Sequence, residues 1–165
     1  MHTQDWKTIV AEHGDRVWRT AYRLLNHEAD ASDCLQEAFV CVLEISRRQT
    51  VKSYGALLIR VVTARAIDRL RERARRAKIQ IEGLDPAEPL DAKNDPVRAV
   101  QDRELAEDLR EALTRLPAQQ AQAFCLRYFD DFSQRQVAEH LGVSSGTAGV
   151  ILHRARARLR ELLGQ

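Results

Sequence analysis

Long apolar runs are missing from this chain. No stretch of about 18 consecutive apolar residues occurs in its 165 positions, which excludes a membrane-spanning helix. The N-terminus, MHTQDWKTIV, has no signal-peptide core, so a soluble, cytoplasmic protein without membrane insertion is expected. Glycine and proline are scarce, at seven and four residues, which argues against a turn-rich β-sandwich. The three cysteines, Cys34, Cys41 and Cys125, are odd in number and form no C-x-x-C pair. That excludes a disulfide framework and a zinc site, and leaves free, buried thiols as the reading. The five histidines (His2, His13, His27, His140 and His153) have no metal-ligand spacing with Cys or Asp. No nucleophile motif or glycine-rich phosphate loop occurs either, so no metal, no cofactor and no enzyme activity are expected.

What is present favours helices. Charged residues make up 30% and apolar ones 44%, with Ala, Leu, Arg and Glu prominent. The length allows one medium domain or two small ones. Net charge is only +2, but it is unevenly spread. Residues 60–78 carry eight bases against two acids, a net +6; residues 79–96 carry a net −4; the stretch after Gly142 carries +3. Basic runs suit a polyanion, since each neutralised phosphate releases condensed counterions. Solvated helix faces give the same pattern.

Apolar periodicity marks the elements. Trp6, Ile9, Val10, His13, Val17, Ala21, Leu24 and Leu25 recur at helical spacing over 5–25, and Asn26-His27 interrupts them. A second helix has Leu35, Ala38, Phe39, Val42 and Ile45 as its stripe, with Glu28, Asp30 and Asp33 suiting the positive end of its dipole. Residues 46–54 lose the period and read as a loop. A third helix is predicted from Gly55 to Ala77, with Leu58, Val61, Val62 and Leu70 inward. Residues 78–95, acidic and punctuated by Gly83, Pro86 and Pro89, read as a linker. Asp95-Pro96 is a cap and first turn for a helix striped by Val97, Leu105, Leu109, Ala112, Leu113 and Leu116. Leu116-Pro117 ends it and opens another, carrying Ala121, Phe124, Cys125 and Tyr128, with Asp130-Asp131 leading out. The fold class is therefore all-α: two small helical domains, 1–77 and 96–165, joined by the flexible linker.

The densest signal lies in residues 133–163. Ser133 and Gln136 form an S-x-x-Q capping box, and Val137, Ala138 and Leu141 face inward. Gly142 ends the short helix, because glycine enters the left-handed region without strain. Ser144 caps the next helix, whose stripe is Ile151, Leu152, Ala155, Leu159 and Leu162. Two helices joined by a short glycine turn make a helix-turn-helix, with small Ala138 at the close approach and the second helix suited to a DNA major groove.

Residues 116–160 resemble region four of bacterial sigma factors of the extracytoplasmic-function (ECF) group. The matching positions are Leu116-Pro117, Phe124, Leu126, Asp130, Ser133, Ala138, Leu141-Gly142, Ser144, Gly146-Thr147, Arg154-Ala155-Arg156 and Leu159. The N-terminal part is similar to region two of the same family. Asp30-Ala31-Ser32-Asp33 with Gln36-Glu37-Ala38-Phe39 resembles its D-A-x-D-x-x-Q-E-x-F signature, and Asp68-Arg69-Leu70-Arg71 its D-x-x-R ending.

The resemblance implies a promoter-recognition subunit of RNA polymerase, with chemistry left to the polymerase. It implies that Asp30, Asp33, Gln36, Glu37 and Phe39 dock on the beta-prime clamp helices of the core, and that the beta flap and an anti-sigma factor are further partners. An acidic and apolar face offers charge complementarity and an anchor, although dipole compensation plus a core Phe39 accounts for the same residues. The resemblance further implies that Arg47, Arg48, Lys52, Arg60, Arg65, Arg69 and Arg71 track the melted minus-ten strand, with Tyr54 either a base-stacking ring or a packed tyrosine. For the minus-thirty-five duplex it implies Ser133, Ser144, Ser145, Thr147 and His153, with Arg154, Arg156 and Arg158 mostly on phosphates. The chain departs from the family pattern at two places. Val-Lys-Ser-Arg is replaced by Ala148-Gly149-Val150-Ile151, which removes two bases from the early recognition helix, and Ala64 stands where the family often has asparagine. Two rival readings are a stand-alone helix-turn-helix regulator and a polymerase-binding adaptor with a degenerate DNA-reading helix.

Overall fold

The computed structural model describes residues 5–79 and 96–164, the first seven of the second span as backbone only. Among the described residues the chain is all-helical: α1 (Trp6–Leu25), α2 (Glu28–Arg48), α3 (Tyr54–Ile79), α4 (Pro96–Thr114), α5 (Ala118–Tyr128), α6 (Gln134–Leu141) and α7 (Ser145–Leu162). It divides into two compact units, Met1–Ala66 and Ile67–Gln165.

In the first unit, α1 packs against α2. Asp5 caps α1, accepting the Lys7 amide at 3.1 Å and the Thr8 hydroxyl at 2.8 Å. The helix stops at Asn26, which sits in the left-handed region (φ 48°), a conformation asparagine tolerates better than most residues. His27 then caps α2 unusually: its Nδ1 accepts the Asp30 amide at 3.1 Å. The start of α3 meets α1 through an edge-to-face pair, Trp6 and Tyr54, with centroids 5.7 Å apart. A side chain at Gly55 would stand 3.0 Å from the His13 ring, so glycine is what lets these helices approach. Val17, Leu24, Leu25, Val42, Leu58, Ile59 and Val62 are fully buried.

The observed elements correct several sequence expectations. Residues 46–48, expected in a loop, form the last turn of α2, where Arg47 and Arg48 face the negative end of its dipole. Only 49–53 separate the helices, and Ser53 caps α3 by accepting the Ala56 amide at 3.2 Å. The third helix starts one residue earlier than expected, at Tyr54, and ends two later, at Ile79. Residues 80–95 of the expected linker, and the Asp95 cap, lie outside the described residues. Three residues of the periodic sets are exposed: Val10 at 48%, Leu105 at 61% and Tyr128 at 41%.

In the second unit, α5, α6 and α7 pack on one another, and α4 meets α5 and α7. Before Pro117 the chain tightens through i→i−3 bonds, Arg115 to the Ala112 carbonyl (3.0 Å) and Leu116 to that of Leu113 (3.3 Å). Phe132, 4% exposed, anchors the turn after α5; its amide donates to the Leu126 carbonyl at 2.9 Å. Cys34 and Cys125 are buried and Cys41 half-buried, all three as free thiols.

Candidate nucleic-acid interface

Local chemistry builds the α6–α7 pair as the sequence predicts. The Ser133 hydroxyl accepts the Gln136 amide (3.1 Å), and the Gln136 side chain accepts the Ser133 amide (2.8 Å), completing a capping box. Gly142 closes α6 at φ 68°, with its amide donating to the Glu139 carbonyl and the Val143 amide to that of Ala138, the paired bonds of a Schellman stop. Ser144 caps α7: its hydroxyl accepts the Thr147 amide at 3.1 Å and donates to the Thr147 hydroxyl at 2.9 Å. That leaves the Thr147 proton free of this bond. Ala138 (4% exposed) and Ala148 (0%) are the small buried residues of the pair.

One clamp was illegible in the sequence. Gln134, at the start of α6, donates its amide to the Ser145 carbonyl across eleven residues, at 2.7 Å. A side chain at Gly149 would come within 2.9 Å of that amide nitrogen. Gly149 therefore makes room for a side chain that ties the first turn of α7 to α6. No periodicity or motif encodes such a pairing.

The outer surface of α7 carries the remaining predicted residues. Ser145, Thr147, His153, Arg154, Arg156 and Arg158 are all exposed. Arg156 lies over the Tyr128 ring, 5.7 Å from its centroid, and Arg158 pairs with Glu161 at 3.0 Å. Of the four residues that replace the family's basic segment, Ala148 and Ile151 (9% exposed) are buried and Gly149 lies under Gln134. Val150, 48% exposed, alone among them faces outward in full.

The predicted basic track is more heterogeneous. Arg47 and Arg48 are exposed in the last turn of α2, Lys52 in the short connection, and Arg65 on α3, while Arg60 and Arg69 are half-buried. Arg71 donates to the Leu116 carbonyl. Tyr54 is half-buried, edge-to-face with Trp6. Further along α3, Glu72 engages Arg75 at 2.6 Å and Arg76 at 3.3 Å. The Arg75 hydrogen bond holds the Glu72 carboxyl below the usual carboxylate range.

On α2, Asp33 and Gln36 are exposed, Asp30, Glu37 and Phe39 half-buried. Spacings of three and four place Asp33, Gln36, Glu37 and Val40 on one face. Val40, 56% exposed, is an apolar member of that face that sequence reasoning missed, although its distance from Gln36 and Glu37 was readable. Among the described residues, no group of three His, Cys, Asp or Glu is placed to hold a metal ion. No helix there is long and apolar enough to cross a membrane.

A capped helix-turn-helix with an arginine-flanked outer helix, preceded by a helical unit with an acidic face and a basic helix, defines a DNA-binding protein of the helix-turn-helix class. Comparison with known proteins narrows this. Residues 9–76 match the model of sigma-70 region 2, and residues 106–159 that of sigma-70 region 4. The chain is 32% identical to the RNA polymerase sigma-E factor of Streptomyces coelicolor, over 96% of this chain and 86% of that one. It is also 32% identical to the ECF sigma factor SigE of Mycolicibacterium smegmatis, over 97% of this chain but 62% of that longer protein. Among solved structures, the sigma factor RpoE of Bartonella quintana, in complex with the anti-sigma factor NepR, shares the fold at a TM-score of 0.62, with 22% identity and 97% of each chain covered.

The chain belongs to the ECF group of RNA polymerase sigma factors. It is a promoter-recognition subunit that joins the polymerase core and directs initiation at particular promoters; the stand-alone regulator is not favoured.

Proposed function

We propose the following division of labour along the chain. Residues 1–77 form the module that docks on the core and melts the minus-ten element, 78–95 link it, and 96–165 form the module that reads the minus-thirty-five duplex. The matched spans, 9–76 and 106–159, support these limits. Asp30, Asp33, Gln36 and Glu37 meet the beta-prime clamp helices. Val40 serves there as the apolar anchor, a role its 56% exposure favours over half-buried Phe39.

The melted strand follows Arg47, Arg48, Lys52, Arg60, Arg65 and Arg69, with Tyr54, held against Trp6, beside it. Arg71 supports this track from its place beside Leu116. Ser133 and Ser144 act as caps that aim helix N-termini at phosphates, while Ser145, Thr147 and His153 reach base edges. Arg154 and Arg158 contact phosphates, and Arg156, lying over the Tyr128 ring, does so beside them. The beta flap holds the second module against the core, and an anti-sigma factor restrains the free protein in the cytoplasm. The B. quintana complex supports that last assignment.

The observation that carries this reading is the fully capped α6–α7 pair with its exposed arginines. The test is reconstitution with core polymerase and mapping of transcript starts. A shared upstream motif is expected, with little promoter binding until core is added. The double charge reversal Asp33→Lys, Glu37→Lys should abolish core binding. Core affinity unchanged in that variant would overturn the α2 assignment.

A further inference from the structure

We propose that Val150 determines sequence specificity on α7 by reading the C5-methyl group of a thymine in the upstream duplex. This rests on the reading of α7 as the major-groove helix. The buried face of α7 is Ala148, Ile151, Leu152, Ala155 and Leu159. At about 100° per residue, the opposite face is centred on Gly146, Val150, His153 and Ala157, all exposed. Arg154 and Arg158 fall on one flank of that strip; Arg156 and Arg160 fall on the other. The helix thus presents a low, largely apolar centre between two cationic edges. A major groove has the complementary section, with base edges in the middle and phosphates on both sides.

The centre is poor in hydrogen-bonding side chains. Gly146 has none, and a Cβ built there meets no atom within 4 Å, so the bases approach the backbone closely. Ala157 offers a methyl, and His153 is the polar member. Among the described residues, Val150 is the exposed large apolar side chain of α7. The Gln134 clamp on Ser145 holds the turn that precedes it. The apolar group that base edges display in the major groove is the thymine methyl. Val150 against a thymine buries two apolar surfaces. Against cytosine or guanine it leaves a donor or acceptor unpaired, which penalises those bases.

The experiment uses the full chain with core polymerase. A promoter library with a randomised upstream segment is selected for holoenzyme binding. Each thymine of the selected element is then replaced by deoxyuridine, which differs only by the methyl. At one thymine, deoxyuridine should weaken binding about fourfold, the value of one buried carbon. Val150→Ala should lose that discrimination and bind both duplexes alike, with core binding unchanged because the clamp-docking face lies on α2. Selection of an upstream element with no deoxyuridine-sensitive position, or a sensitivity that survives in V150A, overturns the assignment of Val150. That outcome leaves α7 as the reading helix and transfers the exposed valine to a protein contact. Recovery of no upstream element at all overturns the underlying reading of α7, and Val150 with it.

Discussion

Gly149 and Gln134 should be energetically coupled, and the sign of the coupling follows from the geometry. Glycine inside a helix costs about 1 kcal/mol relative to alanine, so Gly149→Ala alone would ordinarily stabilise α7 by that amount. Here the new Cβ would stand 2.9 Å from the Gln134 amide nitrogen and 3.4 Å from its Cδ. The amide is the end of a flexible side chain and swings away, and its 2.7 Å bond to the Ser145 carbonyl is lost. A net hydrogen bond contributes about 1 kcal/mol, less where water competes. The two effects nearly cancel, so Gly149→Ala should change stability by under about 0.5 kcal/mol. Gln134→Ala alone should cost about 0.5–1 kcal/mol. In that background Gly149→Ala should recover its full gain of about 1 kcal/mol, giving a coupling of about 1 kcal/mol in the double-mutant cycle. Trp6 and Trp18 both lie on α1, so tryptophan fluorescence does not report on this unit. Native-state hydrogen exchange at Leu152, Ala155 and Leu159 does, and 1 kcal/mol changes protection about fivefold. A full stabilisation by Gly149→Ala in the parent chain, with no coupling to Gln134, would refute the clamp.

Two further outcomes test neighbouring parts of the argument. Gly142→Ala should destabilise the α6–α7 pair by about 1 kcal/mol and Gly142→Asn by less, because nothing lies within 4 Å and the cost is that of φ 68° alone; equal exchange protection in the three proteins would contradict this. Arg154→Ala should weaken holoenzyme binding about equally on all upstream sequences and lower the salt slope by about one; a sequence-selective loss at unchanged slope would place Arg154 on a base edge.

The order of helices, the caps at Ser133 and Ser144 and the stop at Gly142 are local chemistry. Each rests on a side chain bonding a backbone group within three residues or on one residue's φ preference, so spacing alone displays it. The acidic run on α2 and the arginines of α7 stand in the linear sequence itself, as a motif and a charge count. Periodicity says less about which turns are covered: Val10 and Leu105 share the period of their helices yet face outward, since coverage depends on where a neighbouring helix lies. The extra turn through Arg48 likewise escaped the apolar pattern, because polar residues can continue a helix whose dipole they complement. Tertiary structure alone decided that Gln134 reaches Ser145, that Gly149 is a packing vacancy and that Val150 faces outward. Those facts depend on distances between segments remote in the chain, and sequence spacing carries no measure of such distances until the helices have packed.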